Sequence, residues 1–345
     1  MATCIVFGAG AFGTAMSAAL ARSSAIGRVY LYGRDRKVID GINRYGINER
    51  VIPQVGTHRL STDKILATTS LHDLPQTASS YFHAIPVQQS MAFLRHLEDA
   101  HFPLGGCPYV NCSKGVMLYE GNKLMTVSQM FGHCLGLKGH YMALSGPSFA
   151  QGLLEAAPCV MSLAGGNGEV AELLRASQGI FIEDTPKLTV EAVEWAGAMK
   201  NVCALAYGWV EASLNCNTAA AVVTVMWREL FGLLGREDES SRYSFFESSG
   251  GLGDLLVTCS GGKSRNVGYG RDVAEAQQRE GPVATDLTAR PTVEGLHTVK
   301  ALLSFYGPDR IPRTSRIIEG LQGLRDPAAA VANALRAYVW GLSIC

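Results

Sequence analysis

The sequence predicts an α/β chain in two parts: a doubly wound, mostly parallel sheet over residues 1–187, then an all-α domain over residues 188–345. Three observations carry this. Short β-rich runs alternate with helical stretches through the first half, as a parallel sheet with crossover helices requires. From Thr189 onward the pattern changes to long, Ala- and Leu-rich helical periodicity with few strand signals, broken by a Gly-rich segment over residues 248–270. At the N-terminus, Gly8-Ala9-Gly10-Ala11-Phe12-Gly13 lies between the apolar run Cys4-Ile5-Val6-Phe7 and a helix-prone stretch over residues 14–22. Strand, glycine turn and helix start in one unit make the first part Rossmann-like.

The strands follow in order. After residues 4–7 and Arg28-Val29-Tyr30-Leu31-Tyr32, strands are expected over residues 65–69, 81–85, 109–112, 141–144, 159–164 and 180–182. The boundary between the two parts falls near residues 184–188. A polar stretch over residues 234–246 reads as a surface connection between helices, without a catalytic role.

The glycine string points to dinucleotide binding. Gly8 makes the tight turn, Gly10 lets the backbone approach a pyrophosphate, and Gly13 lets helix and strand pack closely. Amides of Ala11, Phe12 and Gly13 at the helix start then hold the phosphates. The second strand ends at Gly33-Arg34-Asp35, where the ribose is read. Gly33-Arg34 leaves room for a 2′-phosphate and offers it a cation, so the reading leans to NADP over NAD. Asp35, one residue on, would serve the 2′-hydroxyl of NAD instead.

Formal net charge is zero, which gives no basic surplus for nucleic acid or an anionic membrane face. No apolar run is long enough to span a bilayer, and the chain enters a strand at once, so a soluble cytoplasmic protein is expected. The nine cysteines are scattered without a C-x-x-C pair, which predicts buried free thiols in a reducing compartment and no metal site. The terminal Ser343-Ile344-Cys345 lacks the basic middle residue of a peroxisomal signal.

Polar residues at strand ends mark the expected crevice. Lys114, in Asn111-Cys112-Ser113-Lys114-Gly115, emerges where open α/β sheets bind ligands, and so do Gly146 and Ser148 in Gly146-Pro147-Ser148-Phe149-Ala150. In the helical part, Lys200-Asn201 interrupts a small, apolar face. A lysine there either snorkels to solvent or, with its pKa lowered by burial, moves protons at an alcohol. Asp254, in Gly253-Asp254-Leu255, either caps a helix, pairs with Lys200 or accepts a substrate hydroxyl. Ser264-Arg265-Asn266 brings a hydroxyl, a guanidinium and an amide together, as an anion site does.

These motifs together resemble the sn-glycerol-3-phosphate dehydrogenases nearly end to end: the fingerprint, Ser113-Lys114-Gly115, residues 146–150, Lys200-Asn201, Gly253-Asp254-Leu255, Ser264-Arg265-Asn266 and Val293-Glu294-Gly295. The resemblance implies reversible hydride transfer between NAD(P)H and dihydroxyacetone phosphate, giving the phospholipid precursor sn-glycerol 3-phosphate without a metal. It implies Lys200 as general acid, Lys114 beside the same oxygen or its neighbouring hydroxyl, and Asp254 orienting Lys200 and substrate. Ser264, Arg265 and Asn266 would hold the phosphate, with Gly146 and Ser148 lining the pocket. Arg34, Lys114, Ala150, Arg265 and Glu294 would touch the cofactor, and a homodimer is compatible with the family.

Two departures stand out. Gly33-Arg34 resembles the bacterial-type branch more than the animal NAD-specific one, and Ala84-Ile85-Pro86-Val87-Gln88 replaces a more usual Val-Pro-Ser type segment near the nicotinamide. Two other readings are a ketopantoate- or hydroxyacid-type reductase, which would not need residues 264–266, and a non-catalytic dinucleotide sensor, which would not need Lys200 and Asp254 together.

Overall fold

The computed structural model describes residues 1–51, 59–104, 106–136, 140–166, 168–183, 188–234, 248–260, 262–281 and 293–339. The connection expected over residues 234–246 lies, beyond residue 234, outside the described residues, as do the segment at 184–187 and the terminal Ser343-Ile344-Cys345. In chain order the elements are β1 (Ala2–Phe7), α1 (Ala11–Ala21), β2 (Ile26–Tyr32), α2 (Arg36–Tyr45), β3 (Ile65–Thr68), β4 (Ser80–His83), α3 (Val87–Asp99) and β5 (Tyr109–Asn111). Next come β6 (Met117–Tyr119), β7 (Lys123–Met125), α4 (Val127–Leu135), β8 (Tyr141–Ser145), α5 (Ala150–Leu154), β9 (Cys159–Ala164), α6 (Gly168–Arg175) and β10 (Ile180–Glu183). Helices follow: α7 (Val190–Ser213), α8 (Cys216–Phe231), α9 (Asp254–Ser260), α10 (Arg265–Glu280), α11 (Glu294–Tyr306), α12 (Pro312–Leu321) and α13 (Pro327–Val339).

The chain forms two compact units that interleave along the sequence. The first comprises Met1–Ser113, Val127–Glu194 and Tyr243–Gly251; the second comprises Lys114–Thr126, Trp195–Arg242 and Leu252–Cys345.

In the first unit an eight-stranded sheet runs in the order β10-β9-β8-β5-β4-β1-β2-β3. Every expected strand is one of these eight, with ends moved by a few residues. Neighbours pair in parallel except β8 with β9, which are antiparallel. The strand order reverses between β1 and β4, the switch point of a doubly wound sheet, so the loops after these two strands are where this fold binds ligands.

Alternation along the strands splits the core into two faces. Cys4 and Val6 join Leu31, Phe82, Val110 and Met142 in an aliphatic cluster with Ala15, Met16 and Leu20 of α1. Phe7, Tyr81, Tyr109 and Tyr141 point the other way and meet Phe93 of α3 and Phe131 of α4, with ring centroids 5.0 Å apart for Phe7–Phe93 and 4.5 Å for Tyr109–Phe131. His83 is buried among these rings between the Tyr109 hydroxyl and the Ser90 hydroxyl, 2.8 Å from each. Burial pushes its pKa down to about 3, so it stays neutral.

The second unit is helical, with one small exception that the sequence reading did not anticipate. Strands β6 and β7 form an antiparallel hairpin whose turn places Glu120 at φ +50° and Gly121 at φ +74°. Both central residues are left-handed, as a tight hairpin turn needs, but three-residue strands carry no readable alternation. Helix α7 is the unit's axis: Val202, Cys203, Ala204, Leu205, Ala206 and Trp209 are fully buried. A helix apolar on every side packs against neighbours all round.

The glycine break expected over residues 248–270 is partly helix. Gly270 lies inside α10 because a Cβ there would sit 2.3 Å from the Leu205 carbonyl oxygen of α7, and one at Gly208 would sit 2.1 Å from that of Val267. These glycines bring two helix backbones together, so they are packing residues where the sequence reading saw a breaker.

Gly13 shows the same constraint at the fingerprint. A Cβ there would sit 1.9 Å from the Gly8 carbonyl oxygen, which is backbone and has no room to yield. Gly13→Ala is therefore expected to destabilise the protein by about 1–3 kcal/mol or more, as overpacking does. Urea unfolding checks this; an unchanged midpoint would contradict it.

Candidate functional site

The first unit supplies a dinucleotide cradle. Gly8 adopts φ +112°, and a Cβ there would sit 2.5 Å from the Ala84 carbonyl oxygen, so the loops after β1 and β4 abut at the switch point. Helix α1 begins at Ala11 without a side-chain cap, since its N-cap residue is Gly10. The first-turn amides of Ala11, Phe12 and Gly13 thus face no capping oxygen, the arrangement that receives phosphate. A Cβ at Gly10 would meet no atom within 4 Å, so this edge of the loop is open. The residues present therefore fit a dinucleotide pyrophosphate.

Asn48 holds this loop, and sequence reasoning missed it. Its side-chain amide donates to the Ala9 carbonyl at 3.0 Å and to the Thr14 hydroxyl at 2.8 Å, and the residue is fully buried. No pattern marks an isolated Asn 34 residues from its partner.

Gly33 and Asp35 do other work than the sequence suggested. A Cβ at Gly33 would sit 2.5 Å from that of Ala9, so this glycine admits the fingerprint loop. Asp35 caps α2 by accepting from the amides of Lys37 and Val38, and it pairs with Arg50 at 2.6 Å. Its carboxylate is committed to the helix start. Arg34 is exposed and donates to the Gln89 side chain at 2.5 Å.

At the β8 end, Gly146 is set by close approach: a Cβ there would sit 2.8 Å from the Val160 carbonyl oxygen. The Ser148 hydroxyl donates to the Gly146 carbonyl at 3.1 Å, and Ala150 opens α5.

In the second unit, Lys114, Lys200 and Asp254 come together. The Lys114 Nζ lies 2.6 Å from Asp254 Oδ2, and the Lys200 Nζ lies 2.6 Å from Asp254 Oδ1 and 3.0 Å from Thr258 Oγ1. Gly197, one turn before Lys200, makes room for the lysine stem, because a Cβ there would sit 2.9 Å from Lys114 Cγ. Of the three uses considered for Asp254, pairing is realised. The Asp254 side chain is only 2% exposed, and it stands in the first turn of α9. Thr258, one turn on, was missed; it donates to the Asp254 carbonyl at 2.6 Å while accepting from Lys200.

Electrostatics follow from two ammoniums on one buried carboxylate. Burial pushes Asp254 up, but the ammoniums of Lys114 and Lys200 outweigh it and hold the carboxyl below its ordinary value. For Lys200 burial dominates; Asp254 opposes it, Lys114 adds to it, and the ammonium falls to about 8. The cluster carries a surplus positive charge with one member ready to release a proton near neutrality, which suits a centre where negative charge develops on an oxygen.

A second knot lies among the predicted phosphate and cofactor residues. Asn266 donates to Asn201 Oδ1 at 3.0 Å and accepts from the Gly295 amide at 2.9 Å, and Asn201 donates to Glu294 at 3.2 Å. Burial pushes the Glu294 carboxyl up, against the pull of Arg265, Lys200 and Lys114. Ser264 caps α10, accepting from the Val267 amide, and Arg265 is exposed in the first turn of that helix. A guanidinium at a helix start, beside the first-turn amides that the cap leaves free, favours an anion.

A dinucleotide cradle on a doubly wound sheet, with a buried lysine–aspartate–lysine cluster on a helical unit, defines the class of nicotinamide-dependent dehydrogenases. The model of the NAD-dependent glycerol-3-phosphate dehydrogenase N-terminus matches residues 3–171, and that of the C-terminus matches residues 189–331. An NAD(P)+ glycerol-3-phosphate dehydrogenase of Nitratidesulfovibrio vulgaris (strain DP4) is 32% identical over 93% of this chain and 94% of its own. A chloroplastic NAD(+) enzyme of that name from Oryza sativa subsp. japonica is 36% identical over 77% of this chain, which spans 59% of the rice protein. The crystal structure of glycerol-3-phosphate dehydrogenase from Coxiella burnetii shares the fold, with a TM-score of 0.76 at 23% identity over 97% of this chain and 98% of that one. This chain belongs to the NAD-dependent glycerol-3-phosphate dehydrogenase family, and the ketopantoate-type and sensor readings are set aside.

Gly10→Ala tests the cradle apart from folding. The Cβ has space in the free protein, so the unfolding midpoint should hold while NAD(P)H binding weakens by tenfold or more, as expected when a side chain stands between backbone and pyrophosphate. Titration of cofactor fluorescence reads it, and unchanged affinity would remove the loop from the binding site.

Proposed function

We propose that this chain reversibly reduces dihydroxyacetone phosphate to sn-glycerol 3-phosphate with NAD(P)H. The observation that carries the reading is the buried Lys114–Asp254–Lys200 cluster, joined to the family membership. The nicotinamide, when bound, supplies the hydride.

The chain's own residues do the rest. Two N–H donors of the Lys200 ammonium serve Asp254 and Thr258; the third is assigned to the carbonyl oxygen, where it offsets the developing charge and then delivers the proton. In the reverse direction the neutral amine takes the alcohol proton. Lys114 adds a second cation at that oxygen or the adjacent hydroxyl, and Asp254 orients both lysines. Arg265, with the Ser264 hydroxyl and the α10 amides, is assigned to the phosphate; Asn266 keeps only part of its amide for it, because Asn201 and Gly295 take the remainder. Phosphate binding far from the reacting carbon would fix the carbonyl for hydride transfer. Ala150, Glu294, Gly146 and Ser148 stay with the cofactor and pocket roles that the family resemblance gives them.

NADP is the preferred cofactor in this reading, with NAD as the alternative. Arg34 is exposed at the end of β2 and Asp35 is held by α2 and Arg50, so the local cation outweighs the local carboxylate. The cytoplasmic setting is supported by the free cysteines, five of them buried, and by bacterial relatives. Among the described residues no helix is long and apolar enough to cross a membrane. Assembly as a homodimer is part of the proposal and is read by sedimentation velocity.

Steady-state oxidation of NADPH and NADH with dihydroxyacetone phosphate tests the reaction. Lys200→Met should cost about 10²–10⁴ in kcat with cofactor affinity retained. Reduction should fall as pH rises through about 8, where Lys200 loses its proton, and reverse oxidation should rise over the same range. Arg34→Ala should weaken NADPH about tenfold and leave NADH unchanged, the scale of one charge-assisted bond. Tight dinucleotide binding without turnover of this substrate would overturn the reading.

A further inference from the structure

Glu194 lies outside every motif used above, yet its carboxylate receives donors from three elements of the first unit. Asn111 at the end of β5 donates at 2.7 Å, and Tyr141 of β8 donates its hydroxyl at 2.6 Å. From α4, the Ser128 amide donates at 3.1 Å and the Ser128 hydroxyl at 2.6 Å. The residue is only 3% exposed. A buried carboxylate costs several kcal/mol unless its oxygens are fully served. Here Asn111, Tyr141 and the Ser128 amide converge on Oε1 and the Ser128 hydroxyl serves Oε2, so a side chain without these oxygens leaves the donors unserved.

Asn111 carries the consequence along the chain. While its Nδ2 serves Glu194, its Oδ1 accepts from the Ser113 amide at 2.9 Å, and Nδ2 also reaches the Ser113 carbonyl at 3.2 Å. Both backbone polar groups of Ser113, the residue before Lys114, are therefore tied to one side chain. The Ser113 hydroxyl adds a bond to the Ile85 carbonyl at 2.5 Å. An Asn amide rotates about one bond, so whatever fixes it fixes the turn it holds.

On α7 the contacts fall three residues apart: Glu194 takes Asn111, Gly197 admits the Lys114 stem, and Lys200 shares Asp254 with Lys114. This i, i+3, i+6 row is a single stripe of the helix, about 9 Å long at the α-helical rise. We propose that Glu194 is a positioning residue: through Asn111 it fixes the turn at residues 111–113 and so sets Lys114 on Asp254. The inference rests on the proposed reaction for its kinetic readout but not for its chemical one.

Glu194→Ala tests it, with Asn111→Ala as the second variant should the first fail to fold. Either should lower kcat by about tenfold to a hundredfold, the cost of a misplaced catalytic group, with KM for NADPH little changed. Three readouts separate positioning from a merely structural role. First, on a Lys114→Met background either substitution should cost less than about twofold, because the effect runs through a lysine already removed.

Second, the alkaline limb of reduction should move to higher pH. The titratable groups around Lys200 are Asp254 and the Cys259 thiol of α9, Lys114, and Glu294 of α11. Among these only Lys114 is displaced, and its ammonium holds the Lys200 pKa down. Third, reductive methylation followed by peptide mass spectrometry should label Lys114 several-fold faster than in the wild type, since a lysine released from its carboxylate reacts more readily. Fully additive effects with Lys114→Met, an unmoved limb and unchanged labelling would each overturn the proposal. If the wild type does not turn over dihydroxyacetone phosphate, the proposed reaction fails alone, and the labelling result still decides the role of Glu194.

Discussion

One carboxylate with an ammonium on each oxygen sets the terms for the second unit. Asp254 is almost fully buried, and an ion in that setting is tolerated only if its oxygens are matched by charge and hydrogen bonds. Lys114 and Lys200 supply that match at 2.6 Å each, and the stoichiometry leaves a surplus positive charge. Burial, with the Lys114 charge added to it, pushes the Lys200 ammonium down to about 8, while the two ammoniums keep the carboxyl ionised. In the proposed reaction, burial thus readies the Lys200 proton and the surplus charge favours an anionic oxygen.

Keeping three charged side chains in register requires rigid delivery of each. Lys200 comes from a helix buried on all sides, which the glycine contacts at Gly208 and Gly270 hold against α10. The segments that precede Lys114 and Asp254 are tied to carboxylates of the first unit, one buried and one half-buried. The Glu194 carboxylate serves Asn111 before Lys114. Glu183 accepts from the Ser249 amide at 3.0 Å and from the hydroxyls of Ser249 and Ser162, while Ser162 also accepts from the Gly250 amide at 2.7 Å, ahead of Asp254. Loops held by satisfied buried networks are stiff, because breaking one bond leaves a charge unserved.

The sequence made the sheet legible because parallel strands are short, apolar and flanked by glycine or polar turns; all eight were marked this way. The antiparallel joint of β8 with β9 left no mark, since pairing direction depends on how the connecting chain returns and not on the strand's own residues. A glycine was misread where it serves packing: Gly270 lies inside a helix because a neighbouring backbone comes too close for a Cβ. Among the candidate site residues, Lys200 stood out as a charge on an apolar face and Asp254 as the carboxylate of Gly253-Asp254-Leu255. Thr258, Asn48 and Glu194 were invisible because each bonds to a partner distant in sequence, 58 residues away for Thr258 and Lys200, and an isolated polar residue has many commoner explanations.

The pH dependence of kcat for reduction in Asp254→Asn tests the central claim most directly. If the carboxylate sustains the Lys200 ammonium against burial, its loss leaves desolvation and the Lys114 charge unopposed. The alkaline limb should then move to lower pH by about one unit or more, a loss of at least ~1.4 kcal/mol of support for the charged form, while NADPH binding is kept. A limb that stays where the wild type has it, with NADPH binding intact, would mean that Asp254 does not govern the proton on Lys200, and the account of the cluster would be wrong.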